Sequence, residues 1–510
     1  MTTTITSLIC NNFSGIRHKN AIFTSDLVTA QDLQNVELYD TELNGGVGIR
    51  TSKGNKAIYN FGNDEKVINI FETKQYNKTH FLVHTEDSTI GRLYLFDRNH
   101  QTRTLLINNL TKTGKSCGLD VTQGWSDLFV FTTGLQMYSV EFTTSNKVKA
   151  MNDLVDEDNN KVMGLGIAVF DNRLWVFKEN KLWYSQQADI YNFSSVDPTI
   201  ITSAGYIEFS KNITAIHPYL ESLAIFHSDS SCMLGVSSDE KFSISDESVG
   251  GCASINSLVF HDTELYFYDD TKKSIFSFKQ VITGEKALGE NVANEIQTEL
   301  ISKIDSSNLD KIKTLSVVLA DRNEIWWLIP TTDDNYSTIY IYDYLHHAWL
   351  RRKCQKINCF NIVNNALYSA NNKIYEEYST RSFDGEFIKA YYKTSPLNLG
   401  ANNTLKVLYF PPRVTLDLPS INQFYVKYTK NFDEFKTPKI KLIKAKYKNF
   451  LIWDVGNWDI NYWITRMVNA IGKFPNATFK TLEMEIYTDN INQNFSIRNM
   501  EFSKIKVKQV

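Results

Sequence analysis

The residues best suited by type to do chemistry lie in TIYIYDYLHHAWLRR, Thr338 to Arg352, where Asp343 precedes His346 and His347 and a basic pair follows. A carboxylate beside two imidazoles could serve as a general acid–base pair or as part of a transition-metal ligand set. Adjacent histidines on a strand or turn point in different directions, so His346 and His347 do not chelate one ion together. A second run, DLVDEDNN, sets Asp156, Asp158 and Asn160 at alternate positions, like the first half of a calcium loop. Lys161 stands where such a loop needs glycine and Ile167 where it needs glutamate, so the expectation is a solvated turn. The nine histidines are otherwise dispersed, and neither G-x-S-x-G nor H-E-x-x-H occurs. No catalytic residue, cofactor site or metal site is assigned.

The elements that must position these residues are strands. Ile339 and Ile341 alternate with Tyr340 and Tyr342, the period of a half-buried strand, Asp343 begins a turn, and a second strand carries Trp349. Similar apolar strands begin at Phe81, Leu128, Leu174, Leu223, Leu265, Ile325 and Leu367, 42 to 60 residues apart. That spacing is the signature of a β-propeller. Several copies are followed by a further strand, at Leu182-Trp183-Tyr184, Ile275-Phe276-Ser277, Ile339-Tyr340-Ile341 and Ile374-Tyr375. In the widest gap, Val292, Ile296, Leu300, Ile301 and Ile304 fall at helical spacing. The fold expected is all-β: a β-propeller of about seven blades with a helical insertion at 290–312, followed by a C-terminal β-sandwich. The domains read as an N-terminal segment with the first propeller strands (1–60), the propeller (61–393) and the sandwich (394–510).

Composition narrows the classes. With 510 residues, 42% hydrophobic and 13% aromatic, the chain can bury large cores and is not a disordered protein. A net charge of −3 argues against a general nucleic-acid coat. The N-terminus, MTTTITSLICNNFSGI, lacks a charged region ahead of an apolar core, and no apolar run reaches the roughly 18 residues that span a bilayer, so a soluble chain is expected. Cys10, Cys117, Cys232, Cys252, Cys354 and Cys359 form no C-x-x-C pair, which predicts buried thiols rather than a zinc ribbon or a disulfide framework.

Two features suggest an interface. In KIKLIKAKYKNF, Lys439 and Lys441, then Lys444, Lys446 and Lys448, alternate with other residues and present a basic face. Such a strand is either an edge guarded by charge or a surface for an acidic neighbour or DNA phosphate. Shortly after come Trp453, Trp458 and Trp463, large enough that three so close must share a core or an interface.

Longer stretches resemble the β-propeller proteins of short-tailed bacteriophages known as stabilisation, head-completion or tail-nozzle (tail hub) proteins. The resemblance runs over nearly the whole chain: NNFSGI and DLQNVELYDTELNGGVGIRTSKG near the start, then RLWVFKENKLWYSQQADIYNFSSV, VGGCASINSLVFHDTELYFYD and the IKAYYKTSPLNLG tail with its tryptophans. It implies a virion protein, made in the host cytoplasm, that forms a sixfold or twelvefold ring below the portal. Such a ring closes the DNA exit channel, lets the genome pass on ejection, and contacts portal or adaptor and tail-fibre proteins. No cofactor, membrane or catalysis is implied. The competing classes are a propeller that binds a host-surface receptor or glycan, and a propeller glycosidase, whose spatial pair of carboxylates leaves no sequence signature.

Trp183 and Trp349 each belong to a periodic strand and are expected in the core between blades. Replacing either by alanine should cost about 3 to 5 kcal/mol, read as a lowered thermal midpoint. Unchanged melts for both variants would remove the blade assignment at those strands.

Overall fold

A strand that alternates large apolar and small polar residues needs a covering layer on each buried face, and the chain meets that need by repetition. The computed structural model describes Thr2 to Lys508 apart from 18–26, 42–45, 75–78, 124–125, 144–145, 195–201, 237–241, 246–247, 280–287, 305–313, 334, 398–404, 409–411, 418–422, 431–438, 445–465 and 471–478. Seven small antiparallel sheets follow one another as the blades of a β-propeller. The first holds Lys66–Phe71, His80–Glu86, Gly91–Asp97 and Thr102–Leu110 in sequence order, and the next five repeat that meander. Each of the seven apolar runs picked out by spacing is the second strand of its blade, from His80–Glu86 to Ala366–Ala370.

The seventh blade is built differently. Cys359–Val363, Ala366–Ala370 and Lys373–Glu377 supply three strands, and the fourth is Asn55–Asn60, from ahead of the first blade. This closes the ring with a strand pair rather than a side-chain contact alone. Around the seam Phe61 N–H donates to Asn372 O at 2.9 Å and Asn361 Nδ2 to Ile70 O at 2.7 Å. Arg98 pairs with Glu376 and lies over the Tyr368 ring. The Asn55 side chain is buried, donating to Glu377 Oε1 at 2.8 Å and accepting from Gln355 Nε2 at 2.9 Å, while Ser369 Oγ donates to the same Glu377 oxygen.

Between blades lie apolar layers. Phe71, Leu82 and Leu95 of the first pack with Phe129, Phe131 and Val140 of the second. Leu128 and Val130 pack with Val176 and Trp183 of the third, and Trp175 and Phe177 with Ile216, Ile225 and Leu234 of the fourth. All six cysteines are free and buried in this fabric or in the second unit. Of the insertion expected at 290–312, Leu288–Asn291 is the outer strand of the fifth blade and Gln297–Lys303 is helical among the described residues, while 305–312 lie outside them. Ile296 and Leu300 are buried as the helical spacing requires, but Ile301 is 60% exposed, because a two-turn helix buries a single narrow stripe.

The chain divides into two compact units, Asn55–Ile339 with Gln355–Glu377, and Met1–Gly54 with Tyr340–Cys354 and Tyr378–Val510. This differs from the serial division at 60 and 394, since the first 54 residues group with the C-terminal part. The reason is strand pairing. Thr2–Cys10 runs antiparallel to Ser496–Lys508, and Leu27–Gln34 to Tyr391–Thr394, within one thirteen-stranded sheet. Alternation within a strand reveals its faces but not its distant partner.

The closing pair yields a direct test. Glu377→Ala removes the acceptor of both Asn55 and Ser369 and should cost about 1 to 3 kcal/mol. Urea melts that match the unaltered chain would show that this buried network does not hold the seam.

Candidate functional site

The Asp-His-His run is a turn. Asp343 ends its strand and accepts from the His346 N–H at 3.0 Å, closing the reversal that His347 completes in left-handed backbone at φ 46°. The two rings part company as their adjacency demands: His347 Nδ1 lies 3.1 Å from Tyr342 Oη, while His346 Nδ1 lies 2.7 Å from Asp343 Oδ2. His346 Nε2 meets a residue that sequence spacing could not supply, Asp40, at 3.1 Å. The hydrogen bond from Asp343 holds the His346 pKa above its usual 6.5, and Asp40 adds to the same direction. The same turn occurs in the first blade as Asp97-Arg98-Asn99-His100, where His100 Nδ1 is 2.5 Å from Asp97 Oδ2. This D-x-x-H pair, in YLFDRNHQ and YIYDYLHH, is a repeat signal legible in the sequence.

The basic residues after the turn are likewise committed within the thirteen-stranded unit. Arg351 Nη2 donates to Asp32 Oδ1 at 2.5 Å and to Tyr391 Oη at 2.7 Å, and Tyr391 donates to Asp32 Oδ2 at 2.9 Å. Arg352, 1% exposed, donates to Ser52 Oγ at 2.9 Å and Lys53 O at 2.7 Å and lies over the Tyr378 and Phe383 rings. Trp349, 2% exposed, packs at 5.1 Å from the Tyr342 ring. A Cβ on Gly15 would fall 2.3 Å from the Trp349 carbonyl oxygen, so only glycine lets these two backbones approach. Trp349 thus lies in Ala348–Gln355, the outer strand of the sixth blade, and groups by its contacts with the thirteen-stranded unit.

Trp183 does lie between the second and third blades, and it leads to the calcium-like run. The turn is solvated as expected from Glu157 to Lys161, but Asp156 itself is fully buried, because its carboxylate is the fixed point of the loop. Its Oδ1 accepts from the N–H of Asp158 at 3.0 Å and of Asn160 at 2.8 Å. Its Oδ2 accepts from Lys181 Nζ at 2.9 Å, Trp183 Nε1 at 3.0 Å and Asn160 Nδ2 at 3.3 Å. Burial opposes the charge, but these donors outweigh it and hold the pKa down at about 2. With both oxygens occupied, the ammonium of Lys181 takes the place a cation would need.

The lysine-rich stretch begins as the strand Lys439–Lys444, which stands at the end of the sheet order and pairs with Gln423–Lys430. Ile440 is 56% exposed and Ile443 is buried. The side chains of Lys439, Lys441 and Lys444 lie outside the described residues, as do Lys446, Lys448, Trp453, Trp458 and Trp463 entirely. Elsewhere in that sheet Lys406 is buried, donates to Lys480 O at 2.7 Å, and is lowered by burial to a pKa of about 8. Among the described residues no group of three or more histidines, cysteines or carboxylates could hold a metal ion. None of the helices described is long and apolar enough to cross a membrane.

Strand order and ring closure define a seven-bladed β-propeller protein carrying a second, thirteen-stranded unit. No protein-family model and no curated protein matches the chain. Among solved structures, the crystal structure of selenomethionine-substituted virginiamycin B lyase from Staphylococcus aureus is similar at 9% identity and a TM-score of 0.36, covering 68% of this chain and 99% of that one.

If Asp156 is a strut, Asp156→Asn should lower stability by about 1 to 3 kcal/mol at neutral pH. The penalty should have a definite pH dependence. The carboxylate is held below its usual 3.8, so its contribution is complete above that value and fades as pH falls toward about 2. Melts of the two proteins should therefore converge in acid; a difference that stays constant down to about pH 2 would contradict the charged-strut account.

Proposed function

We propose that this chain is a structural subunit of a short-tailed phage tail, assembled as a ring below the portal where it closes the DNA exit channel and supports tail fibres. The observation that supports this most is that strands far apart in the sequence are paired. Thr2–Cys10 pairs with Ser496–Lys508, and Asn55–Asn60 seals the seventh blade. Neither pairing opens without breaking a ladder of main-chain hydrogen bonds, which suits a part loaded by packaged DNA. A non-catalytic role accords with the polar clusters. The carboxylates of Asp156, Asp343 and Glu377 all take donors from the protein itself.

Electron microscopy of the purified full chain and of virions tests the reading. The expected result is a closed ring on the tail axis. A monomer that binds or cleaves host polysaccharide would overturn it in favour of a receptor-binding propeller or a glycosidase. A chain ending at Ser395 keeps both strands of the seam yet loses Ser496–Lys508, the partner of Thr2–Cys10. In phage complementation it should be absent from particles, and filled heads should leak DNA. Normal incorporation into DNA-retaining particles would refute a contact role for the C-terminal strands.

A further inference from the structure

We propose that His346 is a proton-operated latch that fastens the turn following Asp343 to the end of the strand Val36–Asp40, within the thirteen-stranded unit. The argument is one of donors and acceptors. Each ring nitrogen faces a carboxylate oxygen, Nδ1 at 2.7 Å from Asp343 and Nε2 at 3.1 Å from Asp40. Ionised carboxylates only accept, and a neutral imidazole carries a single N–H, so one of its nitrogens would turn a lone pair toward an oxygen. Only the imidazolium satisfies both. The ring is 13% exposed, which leaves water little access to stand in for a missing partner.

Loss of the proton must therefore give up one contact, and the two are unequal. Asp343 is buried, three residues away, and already holds the His346 N–H. Asp40 is 71% exposed and comes from a distant part of the chain. The Asp40 contact is the one that opens, freeing the strand end from the turn. Among the described residues, Asp343 and Asp40 are the charged groups paired with the ring. On the elements that carry the latch, Glu37 pairs with Arg50 at 3.1 Å, Arg351 pairs with Asp32, and His347 faces Tyr342. The raised His346 pKa agrees with this arrangement. Because the folded-state value exceeds the unfolded 6.5, the latch contributes fully below 6.5 and is lost as pH rises through the folded value.

The first blade supplies an internal reference. His100 sits in the same D-x-x-H turn, is 78% exposed, and has Nδ1 against Asp97 Oδ2, an oxygen that His80 Nε2 also approaches at 3.6 Å. Two measurements on the full-length protein test the latch between about pH 5 and pH 9, the range over which imidazole changes charge. Hydrogen exchange of 36–40 and 344–347, corrected for intrinsic rates, should rise about tenfold as the latch opens, the loss of one charge-assisted hydrogen bond. NMR of ring-labelled histidine should follow the His346 midpoint in the unaltered chain and its variants. Asp40→Asn should lower the His346 midpoint and remove most of the pH-dependent protection. His346→Gln should abolish that dependence, and His100→Gln should leave it intact. The proposal is overturned if His346 in Asp40→Asn titrates as it does in the unaltered chain, or if the exchange profile survives His346→Gln. Asp40→Asn alters an exposed side chain, so it keeps the test decisive even if a His346 variant folds poorly.

Discussion

A four-stranded blade cannot bury both of its faces by itself, and the architecture of the first unit follows from that constraint. Each blade's apolar side chains are covered only by the next blade, so any open end would leave a full layer exposed to water. A ring removes the end, but the ring must then be held shut. Here Asn55–Asn60 enters from upstream as the outer strand of the last blade, adding main-chain hydrogen bonds to the side-chain layer. The buried Gln355-Asn55-Glu377-Ser369 network then specifies the register of that pairing, since a slip by one residue would bury unpaired amides.

The same need to secure strand ends accounts for the buried arginines. Asn35 N–H donates to Arg351 O at 2.9 Å, and its side chain accepts from Lys353 N at 2.9 Å. Around this backbone pairing, Arg351 joins Asp32 and Tyr391, and Arg352 joins Ser52 and the Lys53 carbonyl. A guanidinium offers five donors in a plane, so one side chain can secure residues from separated parts of the chain. Desolvating a guanidinium is costly even when it is paired, and more so where its donors are left without acceptors.

What could be read from sequence was local. Strand period and repeat spacing located the second strand of every blade, because that strand is buried on both faces and is the most apolar of its four: Leu223-Ala224-Ile225-Phe226 shows no polar interruption. Outer strands were harder. Lys147–Ala150 is exposed along its whole length and carries almost no period. The seam and the first sheet strands were illegible because pairing across more than 300 residues leaves no spacing in the chain. Asp40 and Asp32 became visible only through the side chains they meet. The burial of Asp156 within its solvated turn was hidden for a related reason: an aspartate amid acidic and amide residues reads as solvated, and the donors that cover it, Lys181 and Trp183, stand 25 and 27 residues on.

These clusters also show why chemistry-bearing residue types can serve architecture. A carboxylate that is to act as a base or a ligand must keep an oxygen available to substrate or ion. Asp156 holds five donors on its two oxygens, and Asp343 holds both a backbone N–H and an imidazole. Their charge is spent on geometry, fixing a loop between blades in one case and a reversal of chain in the other. His346 differs in one respect. Its two acceptors come from separate segments, and its ability to satisfy both depends on a proton that can leave near neutral pH. The feature that first suggested catalysis is thus a place where the same donor–acceptor logic makes structure conditional on pH.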